Sequence, residues 1–281
     1  MCTFCHRHGE GRKWYLNAKN YAEDLLSDVR RRAFIAEFFS RPERLARDEH
    51  DLRRLDEAPA FVRRLVHWGA ARRQRAYHWG QVVPIEDLAR ILEFAGSVTR
   101  LACICRHARG QRDARYCYGI SVRPDGGEMR RILLSLDGSL FSGPDPAGLE
   151  TLAKEEALTQ FRAHEREGLC HTVWTFVTPF IGGICSCDRA DCMAMRATVT
   201  HGYPVMFRAE YVAAVDAGLC AGCRGCMRVC PFGAISFAAA RRKAEIDPRR
   251  CYGCGVCRAA CKKNAIRLLD RRESPVAARL W

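Results

Sequence analysis

Eight cysteines near the end of the 281-residue chain carry the clearest chemistry. They read Cys220-Ala-Gly-Cys223-Arg-Gly-Cys226-Met-Arg-Val-Cys230 and Cys251-Tyr-Gly-Cys254-Gly-Val-Cys257-Arg-Ala-Ala-Cys261. Each run is C-x2-C-x2-C-x3-C, the spacing that holds an iron–sulfur cubane. Three thiolates so spaced can wrap one face of a cubane only where the backbone turns tightly. Gly222, Gly225, Gly253 and Gly255 stand where that freedom is needed. The two runs are also an internal repeat with an offset of 31 residues, in which Asp216 maps onto Asp247 and Ala234-Ile235 onto Ala265-Ile266. Zinc ribbons pair two C-x2-C knuckles, so this spacing argues against zinc and against a disulfide knot.

Six further thiols lie in the middle of the chain, in two C-x-C groups that each have one follower: Cys103, Cys105 and Cys117, then Cys185, Cys187 and Cys192. Buried free cysteine packs as a small apolar residue. Cys185, Cys187 and Cys192 sit among Gly, Ser and Asp, which reads as loop chemistry rather than core. A metal site is therefore expected, since thiolates suit iron–sulfur clusters and zinc. A third [4Fe-4S] cubane using four of the six thiols is the first reading, a zinc the second and redox-active dithiols the third. Cys170 and His171 stand nearby with no role fixed by the sequence. At the start, Cys2, Cys5, His6 and His8 could grip a metal or form a mobile terminus.

The elements that must position these residues fall into a helical N-terminal region (1–83), a cysteine-rich α/β module (84–212), a two-cluster domain (213–270) and a tail (271–281), an α+β chain overall. Tyr21, Leu25, Leu26, Val29, Ala33, Phe34 and Phe38 recur at helical steps. Pro42 opens a second helix with Leu45, Leu52 and Leu55 inward. Pro59 opens a third, whose Phe61, Leu65, Val66, Trp68 and Tyr77 are expected in the core. A short helix spans 84–96, and 97–106 reads as a strand with Cys103 and Cys105 on one face. Cys117 begins another strand, Arg130 to the Asp137-Gly138 turn suggests a hairpin, and Gly143 to Pro146 breaks the chain. Leu149 to Arg166 reads as a helix, and 168–176 as a strand. In each C-terminal half, a strand, a ligand loop, a short helix and a return strand are expected, with Ile235, Phe237, Ile266 and Leu268 packed against the clusters.

Residues 213–270 resemble the bacterial two-cluster ferredoxin family. The resemblance implies crossed ligation, with Cys220, Cys223, Cys226 and Cys261 on one cluster and Cys251, Cys254, Cys257 and Cys230 on the other. The chain departs from the pattern at one place, where Lys262 follows Cys261 while Pro231 follows Cys230. Cys103-Ile-Cys105-Arg106, Gly168-x-x-His171 and Ile184-Cys185-x-Cys187 look like a group of cytoplasmic ferredoxin-type proteins from anaerobes. In that group a cysteine-rich domain precedes a two-cluster domain. The opening Cys2-x2-Cys5-His6 and Gly9-Glu10-Gly11 block is similar to it as well.

The formal net charge is +14. Two oxidised cubanes with their thiolates would lower it to about +10. Of the 46 basic residues only six are lysine, and much of the arginine lies on helix faces. No nucleic-acid motif accompanies it, so nucleic acid is not expected as a partner, and an acidic redox protein or oxidoreductase subunit is. No stretch of about eighteen apolar residues is present, so no membrane span is expected. The polar start and metal-bound thiols suit the cytoplasm. Gly126-Gly127 and Gly182-Gly183 are too short to cradle a nucleotide phosphate. The function expected is relay of single electrons through two [4Fe-4S] clusters. The alternative is a reductase whose middle module holds a catalytic metal site, with His171, Asp188 and Asp191 available for proton transfer. A redox or iron sensor is the third class.

Overall fold

A computed structural model describes residues 13–111, 114–136 and 149–280. Cys2, Cys5, His6, His8, the Asp137-Gly138 turn and the Gly143–Pro146 break lie outside the described residues.

The chain is α+β. It opens with three tight 3-10 turns, Trp14–Leu16, Ala18–Tyr21 and Glu23–Ser27. The helix expected here starts only at Val29. Asn17 and Asp28 explain the delay, because both take extended backbone and accept from the backbone N–H two residues on, Lys19 and Arg30. Such local bonds compete with helix. Helices α1 (Val29–Ser40), α2 (Glu43–Asp56) and α3 (Ala60–Ala76) follow. Ile35 and Phe39 of α1 enter the core. The expectation for α3 does not hold: Phe61, Leu65 and Trp68 are each about two-thirds exposed, and Val29, Val66 and Tyr77 are exposed too. Helical periodicity marks an apolar face but does not say what covers it.

A seven-stranded sheet dominates the middle, in the order β4-β2-β3-β6-β5-β1-β7. Its strands are β1 (Gly80–Val82), β2 (Ser97–Leu101), β3 (Cys117–Ser121), β4 (Leu149–Leu152), β5 (Cys170–Thr175), β6 (Ile181–Cys187) and β7 (Met206–Phe207). All pairs are antiparallel except β1 with β7. β1, inside the stretch read as N-terminal, is a strand of this sheet. Helices α4 (Ile85–Phe94) and α7 (Lys154–Glu167) cover one face over Trp79, Tyr118, Phe161, Val173 and Ile184. The other face carries Cys117, Cys170, Cys187, Trp174 and Phe176 beneath α1 and α6 (Gly127–Leu134). Alternation along β5 makes the division, since successive side chains point to opposite faces.

Four local readings are corrected. Arg130 to Leu136 is not a hairpin arm. Residues 127–134 form α6, with Met129, Ile132 and Leu133 buried at helical spacing. Leu149–Leu152 is an edge strand bonded to β2, and α7 begins after it at Lys154. Residues 103–106 do not continue a strand. β2 ends at Leu101, and Cys103 caps the short helix α5 (Ile104–His107). Cys185 and Cys187 lie in a central strand, not a loop. β6 runs between β3 and β5, so pairing on both sides overrides its loop-like composition.

A helical turn α8 (Met193–Met195) follows β6, and the C-terminal repeat folds as β8 (Tyr211–Val215), a ligand loop, a helical turn α9 (Gly225–Val229) and β9 (Ile235–Ala238). It then repeats with β10 (Lys243–Ile246), a second loop, α10 (Val256–Ala259) and β11 (Ile266–Asp270). β8 pairs with β11 and β9 with β10, so each half supplies one strand to each hairpin-like pair. The repeat is locked to the sheet module by polar ties. Tyr211 Oη donates to the buried Asp87 at 2.9 Å, Arg258 bonds Glu86 at 2.5 Å, and the Ala209 N–H donates to Tyr252 O at 2.9 Å.

Candidate iron–sulfur sites

The two C-terminal loops are near copies of one another. The N–H of Cys220 donates to Asp216 O and that of Cys251 to Asp247 O, both at 3.0 Å. The next turn needs left-handed backbone. In the second loop Gly253 (φ +71°) supplies it, and a Cβ there would sit 2.2 Å from Tyr211 O. At the mouth of each helical turn the repeat places Arg224 (φ +62°) against Gly255 (φ +86°). The freedom read from Gly225 therefore belongs to Arg224, a non-glycine residue in the left-handed region. Gly225 begins the helix instead.

Cys230 of the first run meets three cysteines of the second. Cys251, Cys254, Cys257 and Cys230 line one apolar cavity with Pro231, Phe232 and Ile246. Cys226 feels Cys261, Cys220 and Cys223. The fit to an inorganic core is good on two further counts. Backbone N–H groups aim at sulfur: Ala234 at Cys230 and Ala265 at Cys261, each 3.3 Å, and Ala213 at Cys251, 3.4 Å. Among the described residues no carboxylate, histidine, lysine or arginine lines the cavity. Of the four residues expected to pack here, Ile235 and Ile266 are buried, while Phe237 and Leu268 are half-buried.

The two sets differ in environment. Cys223 is exposed, and Cys220 and Cys261 are half-buried. Backbone N–H groups of Ala244 and Gly222, with Lys243, hold the Cys220 thiol below its ordinary range. Cys251, Cys254 and Cys257 are buried. Burial pushes the Cys251 thiol up to about 11. Arg208 lies over the Tyr252 ring at 4.3 Å and donates to Cys251 O at 2.6 Å, a role the sequence did not single out. Phe232 stacks on Tyr252 with centroids 4.1 Å apart. Arg224, Arg228, Lys262 and Lys263 are exposed around the first set.

The second set faces the sheet. Cys254 shares a core with Cys170, Cys187 and Cys192. Cys170 is fully buried, pairs across the sheet with Cys187, donates to the His171 carbonyl at 3.7 Å and shares a core with Cys254. Its thiol is the first cause holding Cys254 below the ordinary thiol range, whereas burial raises that of Cys170.

The six middle cysteines converge on the same face. Cys117 and Cys185 are register partners with sulfurs 3.3 Å apart. Cys103, Cys117, Cys187 and Cys192 are buried in one core, with Cys105 and Cys185 packed against it. Cys185 and Cys187 lie two residues apart on β6 and so share a face, which completes a ring of thiols. All are free thiols. Among the described residues neither this ring nor the two C-terminal sets brings three His, Cys, Asp or Glu side chains onto a single metal position; a cubane instead spreads its four thiolates over four separate iron corners. Arg106 is buried beside the ring, with Nη1 3.6 Å from Cys103 Sγ and 3.5 Å from Ser186 O, and it pairs with Asp188.

The three groups considered for proton transfer do not converge. His171 points to the opposite face, packs against Phe161 at 5.4 Å and faces Ser186 Oγ at 3.2 Å. Burial, with the charge of His164, holds its imidazole down to about 3. Asp188 is taken by Arg106 and by the Asp191 N–H at 2.6 Å.

A family model described as a 4Fe-4S dicluster domain matches residues 219–265. No curated protein matches the chain. Among the described residues no helix is long and apolar enough to cross a membrane.

Proposed function

We propose, starting from the 4Fe-4S ferredoxin-type domain at residues 219–265, that this chain relays single electrons through two [4Fe-4S] clusters to a redox protein or oxidoreductase subunit. Cys220, Cys223, Cys226 and Cys261 would hold one cluster, and Cys251, Cys254, Cys257 and Cys230 the other. Each bound cluster supplies one-electron redox chemistry at a potential set by burial, hydrogen bonds to sulfur and nearby charge. The observation that carries the reading is the cavity lined by the crossed set of the second site.

The chain's own residues suggest a direction of entry. The first site is the exposed one and is ringed by Arg224, Arg228, Lys262 and Lys263. That field suits an acidic docking partner, because charge complementarity speeds encounter. The second site is the more buried one: Cys251, Cys254 and Cys257 are buried and Cys230 is half-buried, with Phe232 stacked on Tyr252 beside them. Residence in the cytoplasm would fit these thiols.

Protein-film voltammetry on anaerobic protein tests the relay. Reversible one-electron waves are expected, and Cys257→Ala should abolish the wave of the second site while sparing the first. Absence of any reversible wave from the wild-type chain would contradict the reading.

The reductase reading has one observation in its favour, the contact of Cys254 with Cys170 on the thiol-rich sheet face. It predicts substrate turnover by the isolated chain, whereas a carrier gives one-electron exchange alone.

A further inference from the structure

The ring of six thiols needs an occupant. Cys103, Cys117, Cys187 and Cys192 are buried, and Cys105 and Cys185 are half-buried. They come from two separate stretches, 103–117 and 185–192, which meet only because β3 pairs with β6. Neutral thiols would pack as apolar groups. An apolar packing gives no reason for Arg106, whose side chain is 4 % exposed and reaches Cys103 Sγ at 3.6 Å. A buried guanidinium costs several kcal/mol unless anions meet it. Asp188 is one such anion, and thiolates at the ring supply the rest.

The ring also has a position relative to the second ferredoxin-type site. Cys170 pairs in register with Cys187 on one side and shares a buried core with Cys254 on the other. One buried side chain thus separates the ring from a residue of that site.

Taking Cys254 as a cluster ligand, the reading given above, we propose that Cys103, Cys105, Cys117, Cys185, Cys187 and Cys192 form a third metal centre of iron–sulfur type. It is in electronic contact with the second ferredoxin-type site through Cys170. Thiolates are soft ligands that suit both iron–sulfur cores and zinc. Contact with a redox site through a buried thiol favours the redox-active occupant. A cubane takes four of the six thiols. The transfer moves one electron from the ferredoxin-type site to the ring, and no bond forms or breaks. The electron originates from the one-electron redox protein that docks at the first site.

Iron, acid-labile sulfide and zinc analysis of anaerobically purified full-length protein tests this. About twelve irons and twelve sulfides per chain are expected, against about eight if only the C-terminal sites are filled. No iron at all would instead overturn the underlying relay. The variant Cys103→Ala/Cys117→Ala/Cys187→Ala leaves three ring thiols, one fewer than a cubane needs, and should lose about four irons. Its ferredoxin-type electron paramagnetic resonance signals should persist. Retention of all the iron by this variant overturns the proposal, as does wild-type protein with about eight irons or with zinc in the ring. If the variant does not fold, the wild-type metal count decides alone. In the dithionite-reduced wild type, spin–spin broadening beyond that of the triple variant is expected, since in the variant only the two ferredoxin-type centres couple to each other. Equal broadening in both proteins contradicts the contact through Cys170.

Discussion

Cys170 of β5 and Cys254 share one buried core across the boundary between the central sheet and the ferredoxin-type domain. A neutral thiol from the sheet therefore packs in the same core as a proposed cluster ligand. A polar S–H near ligand sulfur stabilises the more anionic, reduced state and raises a cluster's potential. Cys170→Ala should therefore lower the potential of the second site and leave the first unmoved, with iron content unchanged. Voltammetry of the two waves reads this directly. A shift in the first site, or none in the second, would contradict it.

Gly253 and Gly225 separate two kinds of glycine. Gly253→Ala forces a Cβ to 2.2 Å from Tyr211 O at a left-handed backbone. It should cost about 1–3 kcal/mol or more and lose the iron of the second site. Gly225 begins α9, takes no positive φ and meets nothing nearer than 3.8 Å. Gly225→Ala should be neutral or stabilising by up to about 1 kcal/mol. Thermal midpoints and iron content of the two variants check the contrast.

His171 makes stability depend on pH. Its imidazole is held down to about 3 in the fold against an ordinary 6.5. Between those values the unfolded chain binds the proton and the folded chain does not. The stability is intact above 6.5 and falls as pH drops, by about 1.4 kcal/mol per unit. His171→Gln removes the titrating group. From about pH 7 to about pH 5 the variant should lose about 2 kcal/mol less than the wild type, measured by denaturant midpoints. Equal losses in both proteins would rule this out.

Lys262 and Lys263 are exposed beside the first site, whereas Arg258 is paired with Glu86. Lys262→Gln/Lys263→Gln should slow electron exchange with an acidic one-electron protein by about tenfold at low salt. The difference should vanish near about 1 M salt, where screening acts within about 3 Å. Arg258→Gln should have a smaller effect on exchange. Stopped-flow rates across ionic strengths check both.

Part of each C-terminal site is local: Cys220, Cys223 and Cys226 lie on one turn-rich stretch, so their spacing alone lets three thiols face one core. The exchange of Cys230 and Cys261 between the two sets followed from the ferredoxin resemblance, not from spacing. The repeat then fixed the second site, except that the turn assigned to Gly225 belongs to Arg224. The sheet was less legible. Gly182, Gly183 and Ser186 read as loop residues, yet they form β6 because strands on both sides complete its hydrogen bonds. The meeting of Cys117 with Cys185 depends on that pairing and lies beyond local pattern. Cys170 had a usable signal: alternation from Cys170 through Thr172 to Trp174 marks one strand face. Phe61, Leu65 and Trp68 show the reverse limit, a helical face legible in sequence whose exposure is not.

Whether the eight C-terminal thiolates hold two iron–sulfur cores is decided by anaerobic purification followed by iron, sulfide and zinc analysis, with electron paramagnetic resonance on adding dithionite. Brown protein with at least about eight irons and eight sulfides per chain and a paramagnetic signal on reduction is expected. Colourless, zinc-loaded protein that stays silent on reduction would contradict that ligation.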